Sequence, residues 1–166
     1  MRVSARTDYA VRAAVELAAA EDGPLKGEQI AAAQEIPLPF LEHILGELKH
    51  AGIVRARRGR HGGYWLTRAA DQITLADVIR AVDGPIANVQ SEPPESISYV
   101  GSAQHLQKVW IAVRANLRSV LESVTLADLV SGKLPAGVKK LSSNPDSWTA
   151  HSAPLKETGG APVGSG

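Results

Sequence analysis

The sequence predicts a mainly α protein, a winged helix-turn-helix domain plus a long C-terminal dimerisation helix. Three observations carry this reading. Apolar residues recur at helical spacing in two segments before Gly52, with a short helix anchored by Ile30 between them. Two short β-prone runs, Ile53 to Arg57 and Tyr64 to Thr67, then flank the glycine-rich link Arg58 to Gly63. From Ser102 a longer apolar repeat sets in. Three helices closed by a hairpin is the element order of a winged helix.

The totals agree. At 166 residues and 44% hydrophobic, the chain fits one domain with a modest core. With only three Trp, three Tyr and one Phe, the apolar content falls to Ala, Leu, Val and Ile, which favours helix. Cysteine is absent, which excludes disulfides, thiol catalysis, zinc–cysteine sites and ordinary iron–sulfur ligation. No run of about 18 apolar residues suggests a membrane span. The basic N-terminus is not followed by the apolar stretch of a secretory signal. A cytoplasmic protein without a membrane partner is expected.

Element by element, Ser4 is placed to cap a first helix with the stripe Val11, Ala14, Val15 and Ala18, and Asp22-Gly23-Pro24 breaks it. A short helix follows from about Lys26 to Ala33, anchored by Ile30; Lys26 is a poor cap and predicts a weak start. After a turn at Gln34 to Ile36, a third helix opens with Pro37 or Pro39 in its first turn. Its apolar stripe is Phe40, Leu41, Ile44, Leu45 and Leu48, and Gly52 closes it. Thr74-Leu75-Ala76-Asp77 and Thr125-Leu126-Ala127-Asp128 each predict a capped helix start, with Asp in the role of Glu. Their flanks differ, so the shared tetrapeptide is capping chemistry and not a duplication.

Asp83 to Val100 carries Gly84, Pro85, Pro93 and Pro94 and reads as a loop. The late repeat Leu106, Val109, Trp110, Val113, Leu117, Val120, Leu121 and Val124 predicts a seam of about six turns. A small winged domain cannot cover so long a seam, which makes it a natural homodimer interface. Residues 133–166, with four prolines and five glycines, predict a disordered tail.

Chemistry concentrates in the wing. Between Val54 and Ala70 stand Arg55, Arg57, Arg58, Arg60 and Arg68 without one acid, in a chain of net charge +1. Arginine forks suit phosphates and narrow, negative minor grooves. Gly59, Gly62 and Gly63 keep the loop slim, and His61 adds a donor. The partner implied is double-stranded DNA. A phosphate-binding nucleotide loop fits less well, since neither GK[ST] nor GxGxxG is present. On the third helix, Leu38, Pro39, Glu42 and His43 are the candidates to meet base edges, with Glu42 able to accept from a cytosine amino group. The expected division is 1–70 as DNA-binding domain, 71–132 as dimerisation and effector region, and 133–166 as tail.

The blocks TDYAVRAAVELA, PFLEHILGELKHA and GIVRARRGRHGGYWLTR resemble the Rrf-two family of bacterial transcription regulators over about residues 1–131, as a cysteine-less, CymR-like member. The resemblance implies a dimer on an imperfect palindrome, acting as a repressor, with Arg58 entering the minor groove. It implies phosphate contacts from Ser4 and Tyr9, and a long helix that crosses to the partner subunit. Cluster-binding members carry cysteines in the stretch matching Val89 to His105, where this chain has none. Glu92, Glu95 and His105 have no ligand spacing, so no metal and no cofactor is expected. A metabolic enzyme or a small effector is then the remaining class of signal. A winged-helix protein–protein adaptor is the alternative reading, disfavoured by the arginine wing. No HExxH, GxSxG or paired-carboxylate pattern points to catalysis.

Overall fold

Ser4 opens the first helix as its sequence suggests, in a computed structural model that describes residues 3–20 and 23–150. Its Oγ accepts from the Thr7 N–H at 3.0 Å, starting α1 (Ala5–Ala19). The buried face of α1 is Thr7, Ala10, Ala13, Ala14 and Leu17. This corrects the expected stripe: of Val11, Ala14, Val15 and Ala18, only Ala14 is buried, and the other three lie at the edge of the core. The alanine face lets α1 lie close to the helices packed on it, whereas the valines would hold them off. Asp22 of the expected break lies outside the described residues.

α2 (Gly27–Gln34) starts without a side-chain cap hydrogen bond from Lys26, as expected. The Gln29 side chain supplies the cap, its Oε1 accepting from the Lys26 N–H at 2.7 Å. Glu35, at φ 51°, makes the left-handed turn into α3 (Leu38–His50). Leu41, Ile44, Leu45 and Leu48 are buried as expected, but Phe40 is 64% exposed. It stands about 100° around the helix from Leu41, past the edge of a stripe that those four residues already fill.

The hairpin β1 (Val54–Arg57) and β2 (Gly63–Leu66) pairs antiparallel, with Val54 opposite Leu66, Arg55 opposite Trp65 and Arg57 opposite Gly63. On its other edge β2 meets Leu25: Leu25 N–H donates to Tyr64 O at 3.0 Å, and Tyr64 N–H to Leu25 O at 2.8 Å. The chain entering α2 is thus tied to the two-stranded wing by a single-residue bridge.

α4 (Leu75–Asp83) and α6 (Leu126–Ser131) both begin with reciprocal capping boxes, Thr74 with Asp77 and Thr125 with Asp128. The core gathers Ile30, Leu41, Leu45, Leu48, Ile73, Val78 and Leu126 between α1, α3, α4 and α6.

The long helix α5 (Leu106–Leu121) has 16 residues, about four and a half turns, and is shorter than expected. Val124 leaves the seam and is buried in the core. The chain turns there to bring α6 back onto α1. The tail expectation also needs correction within 133–150: α7 (Ala136–Ser142) is helical, and a 3-10 turn, Pro145–Trp148, folds back so that Trp148 Nε1 donates to Ser142 O at 2.6 Å. Residues 151–166 of the expected tail lie outside the described residues.

Candidate nucleic-acid interface

The wing is slim because two glycines have no room for a side chain. A Cβ on Gly62 would lie 2.0 Å from the Arg57 carbonyl oxygen, and one on Gly63 would lie 2.6 Å from that of Leu25. Gly62 N–H donates to Gly59 O at 3.0 Å and Arg57 Nη2 to His61 O at 3.2 Å, closing the loop on itself. Lys26, at the start of α2, donates from Nζ to Gly59 O at 2.7 Å and pins the loop from outside.

Arg55, Arg57, Arg58, Arg60 and His61 are all exposed, as is Arg68. Among the described residues no carboxylate pairs with any of these arginines. Arginines elsewhere do find acids: Arg6 with Glu47, Arg12 with Asp8, Arg80 and Arg118 with Glu122, and Arg114 with Glu95. The wing is therefore a concentrated source of unneutralised positive charge in a nearly neutral chain.

The wing and α3 enclose a cleft whose lining includes Lys26, Glu42, Gly46, Lys49, Arg57 and Arg58. Glu42, Gly46 and Lys49 lie along one face of α3, and Gly46 leaves that face open, with nothing within 4 Å of where a Cβ would be. Pro39, Glu42 and His43 are exposed, while Leu38 is half-buried beside Gly27. His43 Nε2 lies 3.4 Å from Glu47, which also takes a two-point hydrogen bond from Arg6. Of the predicted residues, the cleft brings together Glu42, Arg57 and Arg58. Arg55 lies on the other side of the hairpin, near Trp65. Lys26 and Lys49 were missed. Lys49 was legible, seven residues beyond Glu42 on the same helical face; Lys26 was not, because its partner Gly59 is distant in sequence.

Ser4 accepts from Thr7 N–H and donates to Asp83 Oδ2 at 3.1 Å, and Thr7 Oγ1 bonds the same carboxylate oxygen. Its hydroxyl is thus engaged in joining α1 to the end of α4. Tyr9 is half-buried, with the Arg12 guanidinium 5.6 Å from the ring centroid. Of the predicted seam, Leu106, Trp110, Val113, Leu117 and Val120 are half-buried, and Val109 is 52% exposed. No residue of α5 is buried within the single chain.

The Rrf2 family model, described as an iron-dependent transcriptional regulator, matches residues 3–132. Rv1287 of Mycobacterium tuberculosis, named among the HTH-type transcriptional regulators, is 48% identical over 142 residues, 85% of this chain and 88% of the relative. The HTH-type transcriptional regulator CymR of Bacillus subtilis is 33% identical, covering 79% of this chain and 91% of its own. Among solved structures, B. subtilis CymR, described as the global cysteine regulator of that organism, superposes with a TM-score of 0.64 at 32% identity, covering 79% of this chain and 97% of its own. The T. potens IscR structure gives 0.64 at 32% identity, over 80% and 88%.

Iron finds no fitting donor set among the described residues. There is no thiol, and among the described residues no three His, Asp or Glu side chains converge on a point that could hold a metal ion. Glu95, in the stretch where cluster ligands would stand, is paired with Arg114.

Proposed function

We propose, from the premise that this chain belongs to the Rrf2 family of transcriptional regulators, that it works as a homodimeric repressor on an imperfect palindrome. The chain is a DNA-binding transcription regulator of the helix-turn-helix type, and its dimer, operator geometry and contact residues are our reading. In it, residues 1–70 bind DNA and 71–132 assemble the dimer and receive the signal. The exposed face of α3 enters the major groove with Pro39, Glu42 and His43 toward base edges. Leu38, half-buried, supports that turn from beneath. Arg58 enters the adjacent minor groove, while Arg55, Arg57, Arg60 and His61 hold the flanking backbone. Tyr9 contacts phosphate, as does Ser4 once its hydroxyl turns from Asp83.

The observation that carries this reading is the unpaired arginine wing set beside the open face of α3 across one cleft. Support for the dimer comes from α5. The face made by Leu106, Val109, Trp110, Val113, Leu117 and Val120 has no fully buried residue within the chain, and an isologous pairing of two such faces would cover it. The signal is a small effector or a partner enzyme.

The test is a salt titration on the operator recovered by selection from genomic fragments. A protein neutralising six to ten phosphates loses about 10³ to 10⁵ in affinity between 50 and 200 mM salt. Replacing Arg58 and Arg60 by Ala should cut affinity and flatten that slope while the dimer persists. A salt-insensitive complex, or an undiminished one in the double variant, overturns the assignment.

A further inference from the structure

Away from the DNA face, α4, the loop after it and α5 enclose a second cleft of about 280 Å³, lined among others by Arg80, Ile86, Asn88, Glu95, Arg114 and Arg118. Three guanidinium groups face this space against two carboxylates. Glu122 Oε1 accepts from both Arg80 and Arg118, the latter at 2.8 Å, and Glu95 Oε2 lies 2.6 Å from Arg114 Nη1. The cluster keeps one positive charge in excess, and several guanidinium N–H groups there have no acceptor among the described residues. Arg114 is the most enclosed of the three, with 21% of its side chain exposed, while its partner Glu95 is 59% exposed and readily displaced. Asn88 also borders the cleft, its Nδ2 donating to Ser91 O at 3.2 Å.

We propose that this cleft is the effector site, and that it takes a small organic anion. Its carboxylate or phosphate group sits among Arg80, Arg114 and Arg118, and the rest of the molecule lies against Ile86 and Asn88. The position explains how binding reaches DNA. Arg80 belongs to α4, whose Val78 and Val82 pack into the core shared with α1 and α3. Arg114 and Arg118 belong to α5. A ligand held by both helices fixes the angle between the DNA-binding head and the dimer helix, so it biases operator affinity through differential contacts in two arrangements. This part rests on the reading of α5 as the dimer helix; occupancy of the cleft does not.

The experiment titrates citrate, a hydroxy-acid anion, and inorganic phosphate into the full chain without DNA, with ionic strength held constant by chloride, followed by ¹H–¹⁵N NMR. We expect saturable shifts at the Arg114 and Arg118 Nε–H and the Asn88 side-chain amide, at least tenfold weaker in Arg114→Gln and in Arg118→Gln, and retained in Arg58→Ala/Arg60→Ala. Using two single variants guards against loss of fold in either. Shifts confined to the wing, or affinity unchanged in both glutamine variants, overturn the site. Operator affinity is then measured with and without saturating citrate: a change of threefold or more supports the effector role, and none overturns it. Failure to bind operator even without citrate counts against the DNA-binding reading alone.

Discussion

Thr74 and Thr125 face each other across an antiparallel bridge, each the N-cap of its own helix. Leu75 N–H donates to Val124 O at 2.9 Å and Leu126 N–H to Ile73 O at 3.0 Å, so the two matching tetrapeptides are stitched together by their backbones. The repeat visible in the sequence is therefore one joint made of two caps, and it locks the start of α6 to the start of α4. Removing one cap, as in Thr74→Ala or Thr125→Ala, should cost about 1 kcal/mol. The double variant should depart from additivity by about 0.5 kcal/mol or more. Urea unfolding of the four proteins checks both numbers, and strict additivity would show that the caps act independently.

Acid should loosen this joint from one side. The Thr125 backbone N–H, and then its hydroxyl, hold the Asp128 carboxyl below its ordinary value of 3.8. A folded-state pKa depressed in this way gives stability that is fully present above 3.8 and is lost as pH falls through the lower folded value. The stability gap between wild type and Asp128→Asn should therefore be constant near neutrality and shrink below 3.8. A gap that widens on acidification would reverse the sign and refute the assignment.

Gly62→Ala tests the wing as a built object. The new methyl would meet the Arg57 carbonyl at 2.0 Å, so the loop must open. Every arginine is still present in this variant, and only their arrangement changes. Operator affinity should drop at least tenfold, while the thermal midpoint moves by only a few degrees because the loop lies outside the core. Undiminished binding would mean that charge alone suffices.

Val113→Asp places a carboxylate in the middle of the α5 face. A charge that must be desolvated at an apolar interface costs several kcal/mol, so sedimentation velocity should show monomers with unchanged helical circular dichroism. A persistent dimer would put the interface on another surface.

What could be read from the sequence was local. Ser4, Thr74 and Thr125 declare themselves because a cap and the amide it accepts from are three residues apart. The wing is legible because Arg58, Gly62 and Gly63 fall within one six-residue stretch. The phase of α1 was not, since Ala10, Val11, Ala13, Ala14, Val15, Leu17 and Ala18 offer apolar stripes in several directions and only the neighbours choose one. Phe40 misled for a similar reason: it extends a stripe that was already complete. Gln29 capping Lys26, and Lys26 reaching Gly59, depend on side-chain reach and on tertiary closure, neither of which leaves a spacing to find. Residues 136–142 lack the apolar repeat of a packed helix, and α7 has no buried residue.

The bridge that Leu25 makes to β2 bears on protein engineering. A designer wishing to transplant this wing onto another scaffold would naturally cut at Ile53 and Thr67. That cassette would leave behind both backbone bonds to Tyr64 and the Lys26 ammonium that pins Gly59. The portable unit is discontinuous, residues 24–26 together with 53–67, and a graft that carries only the hairpin should arrive with its loop unanchored.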